Sequence, residues 1–286
     1  MQGVLDSLDT LNSRQFFIAI RRLADSLGYG TDRSRFLGSG NEYVQSRPYQ
    51  WGDPIRSIDW RITARTGRFH IKEYEAPKQI PAYLLIDTSA SMTISSRRLS
   101  KYGLAVHIAG GLAFALLDRV SPVGVIGIGS RPLRFPPSLS RDNVMLWLHQ
   151  LKNYRFDETT TMERRIAELG TTLPSRSLII VLSDLHDPSG WPGLKQMAQQ
   201  HDCSVLHLID PAEFGIRGAG ILRGQEAETG REFVFRAGKL PYQPEAIAAD
   251  MRRAGIDYLD LRTDQPFVAR LRQFFKGRNL LGKGTR

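Results

Sequence analysis

Three carboxylates in this 286-residue sequence stand directly after apolar runs: Asp87 after Pro81–Ile86, Asp184 after Ser177–Leu182 and one serine, and Asp210 after Ser204–Ile209. The first opens the string Asp87-Thr88-Ser89-Ala90-Ser91-Met92. Hard divalent cations take oxygen ligands, and Mg²⁺ in particular prefers near-octahedral oxygen while keeping some of its waters. A loop leaving a strand as Asp-x-Ser-x-Ser can aim three side-chain oxygens at one point. Asp87 and Asp184 would offset the charge of such an ion, and the neutral hydroxyls would leave it able to accept an acidic group from outside. A plainer role exists, since Asp and Ser also cap helices, and Asp87 and Ser89 stand where a helix could begin.

The elements that must position these residues follow from hydrophobic periodicity. Phe16, Ile20, Leu23, Ala24 and Leu27 predict a helix from Ser13 to Leu27, followed by a glycine-punctuated loop to Gly40. Beyond residue 79, apolar runs alternate with helical stretches. The runs are 81–86, 123–128, 177–182 and 204–209; helices are predicted near 100–119, 143–152, 162–169 and 194–201. A hairpin at 221–235 turns at Glu228-Thr229-Gly230, and a helix (245–254), a strand (258–261) and a helix (267–275) close the chain. Strands apolar throughout are buried on both faces, which predicts an α/β fold with a doubly wound, mostly parallel sheet. The domains are then 1–78, the N-terminal helix plus an Arg/Asp/aromatic-rich β segment, and 79–286, the α/β domain. In such sheets ligands bind at the carboxyl ends of the strands, where the three carboxylates lie.

Asp87-x-Ser89-x-Ser91 resembles the metal-ion-dependent adhesion site of the von Willebrand factor A domain. The preceding segment, Arg47-Pro-Tyr49-Gln-Trp51-Gly-Asp53-Pro-Ile-Arg56-Ser-Ile-Asp59-Trp60 and then Ala64-Arg65, is similar to the bacterial family known as domain of unknown function 58. Its members join such a segment to an A-type domain, and the similarity runs from about Arg33 to the last helix. The resemblance implies a Rossmann-type fold and a metal set of Asp87, Ser89, Ser91, Thr160 and Asp184 for Mg²⁺, with Mn²⁺ as an alternative. The hydroxyls would touch the ion and the aspartates would act partly through water. A-type domains usually supply the threonine after two glycines. Here the loop reads Asp157-Glu158-Thr159-Thr160-Thr161-Met162, and Thr160 is chosen because it sets Met162 and Ile166 on the apolar helix face. Asp210 has no place in the set and is expected to support a turn. Kinship further implies a non-enzymatic binding module that works with a MoxR-type AAA+ ATPase on a client protein supplying an acidic ligand.

The segment from Arg47 to Arg65 admits two roles. Arg47, Arg56 and Arg61 set against Asp53 and Asp59 could form an internal ion-pair lattice, with Tyr49, Trp51 and Trp60 as its packing. Alternatively Arg47, Tyr49, Trp51, Asp53, Arg56, Asp59 and Trp60 form a docking surface, since Tyr, Trp and Arg are what interfaces concentrate.

Composition narrows the classes. An apolar share of 41% with 24% charged residues suits a globular protein. A single cysteine, Cys203, excludes a disulfide framework and a cysteine zinc site. The start lacks the pattern of a secretory signal, and the longest apolar stretch, Leu104–Leu117, is shorter than the ~20 residues of a membrane span, so a cytoplasmic protein is expected. The net charge is +10, and residues 251–286 hold 9 Lys+Arg against 3 Asp+Glu. Such a tail could meet nucleic acid or an anionic surface, although no aromatic residue follows Phe275 to stack bases. Gly277–Lys283 imitates a P-loop but lacks its Ser/Thr. The six histidines show no zinc spacing; His107 and His207 are expected in the core, and His186 is the one near the candidate site. A Mg²⁺-dependent phosphohydrolase using Asp87 as nucleophile is a further alternative. Against it, Ser89 stands where a general acid would, and no lysine is evident at the site.

Overall fold

A computed structural model describes residues 13–28, 42–75, 80–154, 159–173, 175–214, 221–225, 232–236 and 243–277. The turn at 228–230, the loop after Gly28, Asp157, Glu158 and the basic residues beyond Gly277 lie outside the described residues. In chain order the elements begin α1 (Ser13–Gly28), β1 (Glu42–Pro48), α2 (Trp60–Thr66), β2 (His70–Glu75), β3 (Ala82–Ile86) and α3 (Lys101–Leu117). They continue β4 (Val123–Gly127), β5 (Arg134–Ser138), α4 (Arg141–Lys152), α5 (Met162–Thr172), β6 (Leu178–Ser183), α6 (Trp191–Met197) and β7 (Asp202–Ile209). The last are β8 (Ile221–Gln225), β9 (Glu232–Arg236), α7 (Pro244–Arg253), β10 (Asp257–Arg262) and α8 (Val268–Gly277). The chain divides into two compact units, Met1–Gly30 with Ile80–Arg286, and Thr31–Gln79. Helix α1, grouped above with the segment up to residue 78, packs instead on α3 of the α/β unit.

The larger unit is built on a six-stranded sheet of order β10-β7-β6-β3-β4-β5, parallel except for β5, which runs antiparallel on the edge beside β4. It is an α/β fold with helices on both faces. Side chains alternate across each strand, so one strand feeds two cores. Leu84, Ile86, Val125, Ile180, Leu182, Leu206 and Leu208 face α1, α3, α4 and α8. Tyr83, Leu85, Ile126, Ile179, Val181, Cys203 and Val205 face α5, α6 and α7. This two-sided burial is why the central runs are apolar without a break.

Helix α3 is the central one: fifteen of its seventeen residues are buried, between the sheet and α1. A helix apolar all round needs such cover on every side. Gly110 and Gly111 let α1 come close, since a Cβ at either would lie 2.7 Å from Ile20 Cδ1 or 2.5 Å from Leu23 Cδ2. Strand β5 contains Pro136-Pro137, a pair that argues against a central strand; it lies on the edge, and its pairing with β4 breaks register between Val123 and Val125. No helix among the described residues is long and apolar enough to cross a membrane.

The smaller unit pairs β1 with β2 antiparallel, Arg47 opposite Ile71 and Pro48 opposite His70. Between them in the chain lies α2, a helix that hydrophobic periodicity does not predict. Asp59 caps it, accepting from the backbone N–H groups of Arg61 and Ile62. Gly67, at φ 70°, ends it in the left-handed conformation that glycine adopts most readily.

Candidate metal centre

Parallel register places the site. Ile86 of β3 pairs with Leu182 of β6, and Ser183 of β6 pairs with His207 of β7, so the residues that follow emerge side by side at the carboxyl rim. The Asp87 backbone N–H donates to the Leu182 carbonyl at 2.9 Å, extending the pairing one residue into the loop. Asp87, Ser89 and Asp184 are all buried.

Among the described residues the hydrogen-bond donors around Asp87 are neutral. The Ser183 hydroxyl donates to Oδ2 at 2.6 Å and the Ser89 backbone N–H to Oδ1 at 3.0 Å. The Ser89 and Ser91 hydroxyl oxygens lie 3.0 Å apart, so the two hydroxyls of the motif converge. Burial, reinforced by the nearby Asp184 charge, pushes the Asp87 carboxyl up to about 6.

Asp184 is surrounded differently. Its Oδ2 accepts from the Lys101 ammonium at 2.7 Å and from His186 Nδ1 at 2.8 Å. Lys101 also donates to Glu213 Oε1 at 2.7 Å. Burial alone would raise Asp184, but the Lys101 charge and the His186 hydrogen bond carry its pKa well below the ordinary carboxylate range. Leu185 turns the chain with φ 54°, an uncommon region for a residue with a Cβ, and the turn returns His186 to Asp184. His207 is buried beneath, with Nε2 at 3.0 Å from the Asp184 carbonyl oxygen and Nδ1 bonded to the Tyr258 hydroxyl. Burial brings its pKa down to about 4. It is the core histidine expected, with both nitrogens engaged.

The threonine loop also reaches this rim. Thr160 forms an antiparallel bridge with Gly129, and the Gly129 N–H donates to Thr88 Oγ1 at 3.1 Å, joining it to the Asp87 loop. Thr161 directs its hydroxyl to the Ile128 and Gly129 carbonyls at 3.0 and 2.8 Å, and Thr159 is exposed. Asp210 secures neighbouring loops, accepting from Ser96 N–H at 2.9 Å, Ala212 N–H at 2.9 Å and the Thr263 hydroxyl at 3.2 Å.

The sequence reading missed Ser183, Lys101 and Glu213 as parts of this cluster, and its statement that no lysine serves the site is corrected by Lys101. One signal was present: a lysine opens an otherwise apolar helix just after the Asp-x-Ser-x-Ser loop, where the helix dipole disfavours a cation. Among the described residues no three His, Cys, Asp or Glu side chains are arranged to hold a metal ion. Any ion would therefore rest on hydroxyls as well as carboxylates. That donor chemistry suits a hard divalent cation. Asp87, buried among neutral donors beside the Ser89–Ser91 pair, fits such an ion; Asp184 fits less directly, because Lys101 and His186 already hold its Oδ2.

In the smaller unit, of the expected ion-pair lattice the described residues show the Arg47–Asp53 pair. Arg47 grips Asp53 through two nitrogens, at 2.9 Å each. Asp59 is a helix cap that also accepts from the Ser46 hydroxyl at 2.8 Å, while Arg56 and Arg61 are exposed. Tyr49 packs edge-on to Phe69, but Trp51 is 99% and Trp60 63% exposed, so neither provides the packing expected of it.

Comparison with known proteins adds the following. A family model described as "Protein of unknown function DUF58" matches residues 45–252. Uncharacterized proteins of Mycobacterium bovis and Mycobacterium tuberculosis are each 25% identical over 290 residues, covering 93% of this chain and 88% of theirs. Among solved structures, the conserved hypothetical protein BatB of Bacteroides thetaiotaomicron aligns with a TM-score of 0.48 at 18% identity, over 69% of this chain and 98% of that one.

Proposed function

The chain belongs to the DUF58 family, and we propose that it is a cation-dependent protein-binding module rather than an enzyme. The observation that carries this reading is the convergence of Asp87, Ser89 and Ser91 at the end of β3, one strand from Asp184. Asp87 and the two serine hydroxyls would hold Mg²⁺ or Mn²⁺, Thr160 would approach from the Gly129 loop, and Asp184 would contribute charge. When bound, the ion would supply a Lewis-acidic position for a carboxylate of the client protein. The chain's own part is to hold these oxygens rigidly: Ser183 and the Ser89 N–H orient Asp87, and the Thr88–Gly129 bond ties the loops together. The implied partner is a MoxR-type AAA+ ATPase. The exposed Trp51, Arg56 and Trp60, with Arg47, Tyr49, Asp53 and Asp59 shaping the segment beneath them, form the second surface through which it would engage.

Titration with Mn²⁺ alone tests the ion, and co-purification with a MoxR-type ATPase in Mg²⁺ or chelator tests the partner. Wild type is expected to bind a single ion and to lose the ATPase in chelator. Asp87→Ala is expected to lose both while remaining folded. Absence of Mn²⁺ binding in wild type would sink the reading.

The phosphohydrolase alternative gains a lysine at the rim. However, the Lys101 ammonium is held by two carboxylates and buried, and no acid stands at position 89. Turnover of an aryl phosphate that disappears in Asp87→Asn would restore that alternative.

A further inference from the structure

The two rim carboxylates differ in what neutralises them. Asp87 receives a hydroxyl and a backbone N–H, both neutral. Asp184 and Glu213 share one ammonium, Lys101 Nζ, at 2.7 Å from each, and Asp184 also accepts from His186 Nδ1 at 2.8 Å. The Lys101 side chain is only 3% exposed. It is the first residue of α3, where the positive end of the helix dipole repels a cation. A lysine buried there against both desolvation and the dipole is held by its two carboxylates, and it in turn holds them.

We propose that Lys101 is a built-in counter-cation that withholds Asp184 from a divalent ion, so that the bare rim binds cations weakly and firm binding needs an acid from the partner. This rests on the cation-dependent reading above and specifies its regulation. A divalent ion entering at Asp87, Ser89 and Ser91 meets one uncompensated carboxylate, with an ammonium already on the next. Coulomb repulsion between that ammonium and the ion opposes entry, most strongly where water is excluded. A carboxylate from a partner supplies the second negative charge that Asp184 does not. The module then distinguishes an acidic client from free Mg²⁺ by needing both together.

The probe is Mn²⁺ alone, its free concentration read by electron paramagnetic resonance against the full chain. Lys101→Met is expected to bind Mn²⁺ at least about tenfold more tightly than wild type. In an Asp184→Asn background the same substitution is expected to gain about twofold or less, because the freed carboxylate is then absent. Unchanged or weaker binding in Lys101→Met, or an equal gain in both backgrounds, overturns the proposal. Should Lys101→Met not fold, Lys101→Gln is read in the same way. Glu213→Gln, which leaves the ammonium wholly to Asp184, is expected to weaken Mn²⁺ binding, and tighter binding overturns the proposal. If wild type binds Mn²⁺, Asp87→Ala does not, and Lys101→Met equals wild type, the Lys101 proposal alone falls. If wild type does not bind Mn²⁺, the cation-dependent reading falls and this proposal falls with it.

Discussion

The carboxyl rim of the sheet and the Arg47–Arg65 segment have the same ingredients, carboxylates beside cations and hydroxyls, yet their surroundings are opposite. At the rim, Lys101 and Asp184 are 3% and 2% exposed, and their charges are satisfied by each other, Glu213 and His186. In the segment, Arg47 and Asp53 are 32% and 16% exposed, and Trp51 and Trp60 stand in solvent. Charge pairs in contact with water contribute little to stability, while breaking a buried pair strands a charge in a poorly polarisable interior. The rim is therefore a place where the fold and the site depend on the same residues. The segment is a place where aromatic side chains stand in solvent.

Substitutions sharpen that contrast, the largest effect first. In chelator, Lys101→Met is expected to lower unfolding free energy by about 3 kcal/mol, because the buried Asp184 and the half-buried Glu213 lose their shared cation; urea denaturation measures it, and Mn²⁺ should restore part of the loss. Asp210→Ala is expected to cost about 2 kcal/mol by leaving the Ser96 and Ala212 donors unpaired. Asp87→Asn, which removes a charge faced only by neutral donors, should stay within about 1 kcal/mol of wild type while abolishing Mn²⁺ binding. If it unfolds the protein, the difference drawn between the two carboxylates is mistaken. Arg47→Ala is expected to lower unfolding free energy only slightly, since its pair with Asp53 is bidentate but only part-buried. Trp51→Ala with Trp60→Ala should leave far-ultraviolet circular dichroism and urea midpoint unchanged but reduce capture of the ATPase; undiminished capture would remove the segment from the interface.

Some of this was legible residue by residue. Leu178–Leu182 is apolar at every position, which only two-sided burial explains, and Asp87 and Ser183-Asp184 stand where such strands end. Ser140 read as a helix cap and does accept from the Asn143 N–H. Helix α2 was not legible, because its seven residues carry no apolar stripe and stand by virtue of the Asp59 cap and Gly67. The segment misled more, since Arg56, Arg61 and Asp59 have the right charges for a lattice but not the right places. Asp59 is turned onto the α2 backbone and leaves the guanidinium groups in water.

What the sequence determined alone is periodic and local. Strand alternation and helix period come from covalent geometry, so the two cores and the rim position of Asp87 and Asp184 follow from side-chain order along the chain. What the tertiary structure decided is which charges meet. Lys101 and Asp184 are 83 positions apart, and Ser183 and Asp87 are 96 apart. Parallel crossovers bring them together, and Coulomb energies depend on distances and burial that no stretch of sequence contains. Which carboxylate stands beside a cation and which does not is therefore a property of the fold.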